Sequence, residues 1–215
     1  SLLNFFSKKG ATTYGIDPTD AIKESSECHV TMQDYFSPWT ARTLQTSIGF
    51  PDVITFTNCF AHIAGMHELL TALSCLMGPK TIVVIENHYL GSVLEKNQFD
   101  TFYHEHPRTY SVKSFEVIAS LLGAKLLKVE KTSRYAGNIR VYISRNFDII
   151  NTPTNIKEDN FVEMFSDMSA FIERWTHEKF DEIVAFNKNN GPLKGIAFPG
   201  RSSILVNQLN LTPDN

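Results

Sequence analysis

Closely spaced cysteines are the first feature that this sequence lacks. Its 215 residues include three cysteines, Cys28, Cys59 and Cys75, and no two of them form a C-x-x-C pair. A disulfide framework and a structural zinc site both need paired or clustered cysteines, so neither is predicted. Separated thiols in odd number are typical of a reducing compartment, and we expect this chain to be cytoplasmic.

Long apolar runs and an excess of positive charge are missing as well. No segment approaches the roughly 20 apolar residues that a membrane-spanning helix needs, and no signal peptide is recognisable, so no membrane partner is predicted. The 20 lysines and arginines are outnumbered by 23 acidic residues and form no basic stripe, which argues against nucleic acid as a partner. The remaining composition, 42% hydrophobic and 20% charged, is that of an ordinary globular protein.

Strand and helix patterns alternate along the chain. The segment Val53–Thr57 is β-branched and aromatic, and Thr81–Glu86 is almost continuously apolar, as in a parallel strand covered on both faces. Between them, apolar residues at helical spacing predict a helix over His62–Met77. Further helices are predicted at 2–6, after Pro18, and at 38–48, 112–122 and 161–187, and further strands at 14–16, 28–32, 124–131, 139–144 and 193–198.

This order of elements predicts an α/β fold. We expect a Rossmann-like, doubly wound, mostly parallel sheet with an antiparallel edge strand, followed by a long helix and the start of a second α/β unit. The predicted units are a core over 1–145, a linker and helical segment over 146–190, and the start of a carboxyl-terminal domain over 191–215. Because the first residues already lie in a predicted helix, the strand and Gly-rich loop that open such a fold are expected before them. The pattern is that of a fragment cut at both ends, or of a chain whose first strand lies elsewhere.

Polar side chains close three of the predicted strands. Asp17, Asn58 and Glu86 stand at these strand ends, and in open α/β sheets ligands bind outside the carboxyl ends of the strands. An acidic residue after the second strand of such a unit can bind both hydroxyls of a ribose. Asp17 is therefore a candidate ribose ligand, although Asp-Pro is also a common turn.

The segment Tyr103–His106 collects a phenol, two imidazoles and a carboxylate in four consecutive positions. None of these four residues is preferred in a protein core. Histidine has the side chain whose ordinary pKa lies nearest neutral pH, and a neighbouring glutamate can orient it, so the cluster suits proton transfer. A solvated polar loop is the alternative interpretation.

With these residues in view, the chain resembles S-adenosylmethionine-dependent C-methyltransferases that act on nucleotide-linked deoxyketosugars. Residues 94–106, LEKNQFDTFYHEH, are similar to the family signature L-E-K-x-x-F-D-x-x-Y-x-E-H. Residues 58–63 resemble its N-x-x-x-H-I segment, and residues 137–142 resemble its G-x-x-R-V-Y strand start. Residues 195–201 are similar to the start of the family's carboxyl-terminal domain.

The resemblance implies a class I methyltransferase core and a role for each residue of the polar cluster. His106 is expected to be the base that removes a proton from carbon next to a ketone, and Glu105 its orienting group or an alternative base. Tyr103 and His62 are expected to donate hydrogen bonds to the developing enolate. His62 also has a simpler interpretation, as a helix cap or surface residue.

The resemblance also implies the ligands. S-adenosylmethionine is the expected cofactor, a nucleotide-linked sugar the expected substrate, and no metal is required. Cofactor contacts are expected at Asp17, Asn58 and Cys59. Substrate contacts are expected at Asn138, Arg140 and Arg201, although a strand-edge arginine is solvated at least as often.

The sequence departs from the family in ways that affect binding. The family's cysteine-rich zinc module and its Gly-rich, methionine-binding loop are absent, so we expect this chain by itself to bind cofactor weakly. At the carboxyl-terminal motif, Ala197 replaces a glycine, Arg201 replaces a lysine, and 202–204 replace G-N-T. Two alternatives therefore stay open: a binding domain that kept the fold without activity, and an O- or N-methyltransferase of small molecules.

Overall fold

The computed structural model describes residues 2–24, 29–152, 155–195 and 199–212. In the described part of the chain, short 3-10 turns at Asp20–Glu24, Phe60–His62, Phe99–Thr101 and Arg134–Ala136 join the longer elements. The helices are α1 (Leu2–Ser7), α2 (Pro38–Ile48), α3 (Met66–Leu76), α4 (Leu90–Glu95), α5 (Val112–Leu121), α6 (Phe161–Asn190) and α7 (Gly200–Gln208). The strands are β1 (Tyr14–Ile16), β2 (Val30–Met32), β3 (Val53–Thr57), β4 (Ile82–His88), β5 (Lys125–Thr132) and β6 (Asn138–Ser144).

These strands form two sheets and confirm the mixed α/β fold class. The larger sheet has the order β3-β4-β6-β5, in which β3 runs parallel to β4 and β6 runs antiparallel to both of its neighbours. The antiparallel strand therefore lies one position in from the edge, because β5 is the edge strand and β6 returns between it and β4. The shorter strands β1 and β2 pair in parallel in a separate two-stranded sheet.

The core lies on one face of the larger sheet, against α3 and α5. Pleating places alternate residues of β4 and β6 on this face, where Ile85, Val141 and Ile143 are fully buried. Phe60 and Phe115 extend the core with ring centroids 5.9 Å apart. Capping boxes built by serine side chains at the start of α2 and α5 satisfy backbone N–H groups there, so both helices begin where the sequence predicts.

The helix predicted over His62–Met77 begins four residues later, at Met66. The guanidinium of Arg108 donates hydrogen bonds to the carbonyls of Ile63 and Ala64, at 3.2 and 2.8 Å. The intervening backbone turns away from helical geometry at Ile63, where ψ is 107°. His62 consequently lies on a 3-10 turn rather than on α3, and a long-range contact decides its position.

Two further expectations differ from the structure. Residues 193–195 form no strand, and the rest of the predicted strand, 196–198, lies outside the described residues. The predicted strand 28–32 is present as β2, and its first residue lies outside the described residues. The helix expected after Pro18 is a 3-10 turn, and α4 was not predicted.

The carboxyl-terminal helices pack against the segment that carries the polar cluster. Trp175 of α6 lies edge-on to Phe99, with ring centroids 5.3 Å apart. Arg201 of α7 donates two hydrogen bonds to the carboxylate of Asp100, at 2.8 and 2.9 Å. A side chain at Gly200 would come within 2.9 Å of the Tyr103 ring, so glycine permits the close approach of α7. No helix within the described ranges has the length and apolarity to cross a membrane.

Candidate active site

The polar cluster predicted from the sequence lies at the carboxyl ends of β3 and β4. Asn58 follows β3 directly with a left-handed backbone, φ 56°, and its N–H donates to the carbonyl of Glu86 at 2.8 Å. His88 is the last residue of β4. The cluster segment returns to this edge through the 3-10 turn Phe99–Thr101. The structure therefore brings these three segments together at the end of the parallel strands, and the site itself stays a prediction.

His106 is held in one orientation by the backbone. Its Nδ1 lies 3.1 Å from the carbonyl oxygen of Thr101, and a carbonyl only accepts, so Nδ1 carries the proton and Nε2 presents a lone pair when the ring is neutral. Burial is the largest cause that lowers the pKa of His106, and the charges of His62 and Arg201 act in the same direction, while the Thr101 bond and Glu105 oppose them. The ring is therefore an unprotonated base at neutral pH.

Two other predicted residues have their rings against His106. The ring centroid of Tyr103 is 4.6 Å away and that of His62 is 4.7 Å away. The Tyr103 hydroxyl donates to the carboxylate of Glu105 at 3.2 Å. Burial, followed by the charge of Glu105, raises the pKa of the Tyr103 phenol. All four predicted catalytic residues thus meet in one place.

The state of His62 follows from its own hydrogen bond. Its Nδ1 lies 2.8 Å from the backbone oxygen of Glu105, so Nδ1 is the donor. A neutral His62 consequently offers a lone pair at Nε2, and it can donate from Nε2 only when the ring is protonated. The predicted donor role of His62 therefore depends on its charge.

His88 belongs to this site and was missed by the sequence analysis. Its ring centroid lies 5.2 Å from that of His106 and 5.4 Å from that of Tyr135. Burial lowers the pKa of His88 to about 4, with contributions from the charges of His106, Arg201 and His62 and with Asp100 opposing them. The sequence signal that could have identified His88 was its position at the end of an apolar strand. The predicted strand ended at Glu86, and β4 runs two residues further.

Several buried polar atoms near these strand ends have no hydrogen-bond partner among the described residues. Asn138 is fully buried and donates to Oδ1 of Asn58 at 2.7 Å, yet its own Oδ1 is unpaired, as is Nδ2 of Asn58. His88 and Asn138 are direct partners across β4 and β6, and Nε2 of His88 is unpaired too. Unpaired buried polar groups cost stability, so their concentration here is typical of a ligand site.

One of the predicted cofactor residues, Asp17, lies beside a shallow cavity. Asp17 lines a cavity of about 180 Å³ together with Gly15 and Ile16. One oxygen of its carboxylate, Oδ1, accepts two bonds from Thr19 at 2.5 and 2.8 Å, and no described residue bonds to Oδ2. Asp17 is close enough to Cys59 for its charge to contribute to the raised pKa of that thiol, whose largest cause is desolvation.

The predicted substrate residues are each engaged within the protein. The guanidinium of Arg140 donates to Oε2 of the buried Glu86 at 2.6 and 2.9 Å, across the β4–β6 pair. Arg201 is held by Asp100, and its charge contributes to the lowered pKa of both His88 and His106. Arg201 and Asn138 therefore lie beside the histidines. Arg140 lies two residues along β6 from Asn138, where it pairs with Glu86. Within the described ranges, no three histidine, cysteine or carboxylate side chains are arranged to hold a metal ion.

Comparisons with known proteins agree with this architecture. A family model described as a methyltransferase domain matches residues 1–129, which is more than half of the chain. The chain is 28% identical over 142 residues to the C-methyltransferase NovU of Streptomyces niveus, which covers 65% of this chain and 34% of NovU. It therefore spans about a third of the length of that curated relative.

A solved structure with a TM-score above 0.5 shows the same fold. An S-adenosylmethionine-dependent methyltransferase from Anabaena variabilis superposes with a TM-score of 0.51 at 16% identity, covering 65% of this chain and 70% of that one. The magnesium protoporphyrin IX methyltransferase of Synechocystis PCC 6803, solved with bound S-adenosylhomocysteine, has a TM-score of 0.46 at 14% identity, covering 67% and 69%. The chain belongs to the methyltransferase domain family. S-adenosylmethionine, the cofactor expected from the sequence, is the cofactor of this class, and methyl transfer is its reaction.

Proposed function

We propose that this chain carries the methyl-transfer site of a C-methyltransferase that acts on carbon next to the ketone of a nucleotide-linked sugar. The observation that carries the proposal is His106, a neutral imidazole that is held by its Nδ1 and whose ring lies against the rings of Tyr103, His62 and His88. The resemblance to NovU supports the same reaction class.

Carbon acidity is the reason for preferring carbon over oxygen or nitrogen. A proton next to a ketone leaves only when a base is held against it and the developing enolate oxygen is stabilised. Hydroxyl and amine acceptors need less basic help. The lowered pKa keeps His106 unprotonated and available as a base, and the neighbouring imidazoles and phenol supply polar groups for the enolate, which suits a carbon acceptor.

In the proposed reaction, Nε2 of His106 removes the proton from the sugar carbon, and the bond electrons move into the enolate. His106 then holds the proton at Nε2, and its Nδ1–H bond to Thr101 keeps the ring in place. Glu105 orients Tyr103 through the bond between their side chains. When bound, S-adenosylmethionine supplies the electrophilic methyl group. The surrounding protein positions the reactants and excludes water.

The residues present fit part of the cofactor. The free Oδ2 of Asp17, beside a cavity at the end of β1, suits the ribose hydroxyls. Asn58, whose Nδ2 is unpaired among the described residues, and the neighbouring Cys59 lie between Asp17 and the histidines. We propose that these three residues hold the cofactor between Asp17 and the site of methyl transfer.

For the substrate, we propose contacts from the predicted residues Asn138, Arg140 and Arg201. The unpaired Oδ1 of Asn138 can accept a bond from a sugar hydroxyl. A guanidinium has five N–H donors, so the ion pairs of Arg140 and Arg201 leave donors for a diphosphate.

Deuterium exchange tests the proposal without methyl transfer. The complete protein is incubated in D₂O with S-adenosylhomocysteine and a thymidine-diphosphate-linked ketodeoxyhexose, and deuterium at the sugar carbon is measured by mass spectrometry. We expect exchange by the wild type, and a rate lower by roughly a hundredfold to ten-thousandfold in His106→Ala. Tyr103→Phe should cost about ten- to a thousandfold.

Exchange that persists unchanged in His106→Ala would remove His106 from the role of base and transfer it to Glu105. Absence of exchange in the wild type, together with methylation of a hydroxyl or amine in a substrate screen, would overturn carbon methylation. Sugar binding should change little in His106→Ala, because the base acts mainly in the transition state.

A further inference from the structure

His88, in the middle of the candidate site, has a buried imidazole nitrogen that bonds to no described residue. Its Nε2 is inaccessible to solvent and makes no hydrogen bond with any described residue. Two sets of contacts fix the ring. His88 pairs with Asn138 at the end of the β4–β6 ladder, and its ring lies against the rings of His106 and Tyr135. Desolvating a polar nitrogen without a bond costs free energy, which a ligand atom at this position would recover.

Three protons carried by the rings around His88 are already committed. Nδ1–H of His106 donates to the Thr101 carbonyl, Nδ1–H of His62 donates to the Glu105 carbonyl, and the Tyr103 hydroxyl donates to the Glu105 carboxylate. In their neutral forms, His106 and His62 both present lone pairs at Nε2. A ketone oxygen brings no proton and needs a donor, and among the neutral rings of the site a His88 that carries its proton at Nε2 supplies one.

The loop that covers His88 is strained and anchored. Tyr135 and Ala136 have left-handed backbones, with φ of 49° and 62°, a conformation that is strained for residues other than glycine. The loop is held to α4, because Lys96 donates to the Ala136 carbonyl and a side chain at Gly137 would collide with Ser92. These anchors hold the loop in its strained conformation and keep the Tyr135 ring against His88.

We propose that His88 is a catalytic hydrogen-bond donor, whose neutral Nε2–H binds the substrate oxygen that becomes the enolate oxygen. The inference rests on the proposed carbon methylation and adds a residue to it. A neutral imidazole suits this role because it donates a hydrogen bond without giving up its proton.

The step balances as follows. The C–H bond next to the ketone breaks, its proton goes to Nε2 of His106, and its electron pair forms the carbon–carbon double bond of the enolate. The ketone oxygen takes the negative charge and accepts the Nε2–H bond of His88. No proton leaves His88, so the enolate carbon stays nucleophilic toward the methyl group.

Two variants separate a donor from a structural role. His88→Gln keeps a neutral N–H donor near the position of Nε2, whereas His88→Leu fills similar space without one. His67→Leu makes the same change at an exposed histidine of α3. In the deuterium exchange assay with the ketodeoxyhexose, we expect His88→Leu to be roughly a hundredfold to a thousandfold slower. His88→Gln should lie within about tenfold of the wild type and His67→Leu should match it.

The protonation state is measured independently of turnover. In ¹⁵N-histidine-labelled complete protein, the His88 signals are identified by their loss in His88→Gln. We expect the Nε2 signal of a protonated, pyrrole-type nitrogen at neutral pH, and a shift of that signal when the ketodeoxyhexose is added. An Nε2 without a proton would overturn the proposal.

The exchange results discriminate further. Exchange in His88→Leu within about threefold of the wild type, or His88→Gln as slow as His88→Leu with both variants folded, would overturn the donor role. If the wild type shows no exchange, the proposed function fails and the enolate role of His88 is overturned with it. If the wild type exchanges but Nε2 of His88 carries no proton, the donor role alone is overturned and the proposed function stands.

Discussion

The two faces of the β4–β6 strand pair are built in contrasting ways. On one face, Val83, Ile85, Val141 and Ile143 are fully buried and pack against α3 and α5. On the other face, the pairs Glu86–Arg140 and His88–Asn138 bring charge and unpaired polar atoms together. Successive residues of β4 and β6 point alternately to the two faces, so this one strand pair contributes to both the core and the candidate site.

The difference teaches which residues serve stability and which serve ligands. Apolar groups on the core face are satisfied by contact with each other, and their burial stabilises the fold. On the polar face, Nε2 of His88 and Oδ1 of Asn138 have no partner among the described residues, and a bound ligand would satisfy them. Substitutions on the two faces should therefore separate stability from activity.

The largest expected effect is the contrast between Ile143→Ala and Asn138→Ala in the same strand. Ile143→Ala should lower the free energy of unfolding by about 2–5 kcal/mol, because it leaves a cavity in the core. Asn138→Ala should cost at most about 1.5 kcal/mol, since it removes one hydrogen bond and an unpaired oxygen together. Urea unfolding followed by circular dichroism measures both.

Activity per folded molecule should show the reverse order, with Ile143→Ala close to the wild type and Asn138→Ala impaired. Equal losses of stability in the two variants would contradict the division of the faces. A fully active Asn138→Ala would count against a ligand at its Oδ1.

The second-largest expected effect is a pH dependence of the free energy of unfolding, which arises from His88. Its pKa is about 4 in the folded protein, against about 6.5 when unfolded. Between these values the unfolded chain binds a proton that the folded chain does not, so acid favours unfolding. The contribution is complete above pH 6.5, is lost as the pH falls toward 4, and amounts to about 3 kcal/mol at most.

Urea unfolding at neutral and mildly acidic pH measures this slope. His88→Gln should lack it, while His67→Gln on exposed α3 should keep it. Identical slopes in the wild type and His88→Gln would show that His88 titrates normally in the folded protein.

The smallest expected effect extends the comparison to the separate sheet that carries Asp17. Asp17→Asn replaces a charged acceptor of ribose hydroxyls with a neutral one, and hydrogen bonds to charged groups are stronger by about 1 kcal/mol. Calorimetry with S-adenosylhomocysteine and the complete protein should show affinity weaker by about fivefold. Asp20→Asn, in the adjoining exposed turn, is the matched control. Equal affinities for all three proteins would remove Asp17 from the cofactor site.

Local sequence determined the elements whose signals are themselves local. The β-branched run of β3, the apolar run of β4 and the serine-capped starts of α2 and α5 all appear where the pattern predicts them. The alternation of these elements was enough to predict the α/β class and the edge of the sheet that bears the site. Tyr103, Glu105 and His106 were recognisable because they are neighbours in sequence.

Tertiary structure alone decided the rest of the candidate site. His62 takes its place from Arg108, which binds the carbonyls before α3, and His88 acquires its lowered pKa from residues distant in the chain. The unpaired Oδ1 of Asn138 is visible only once β6 lies between β4 and β5. Periodicity and capping act over a few residues, whereas desolvation and hydrogen-bond pairing depend on every group that folding brings near, and no local pattern records that set.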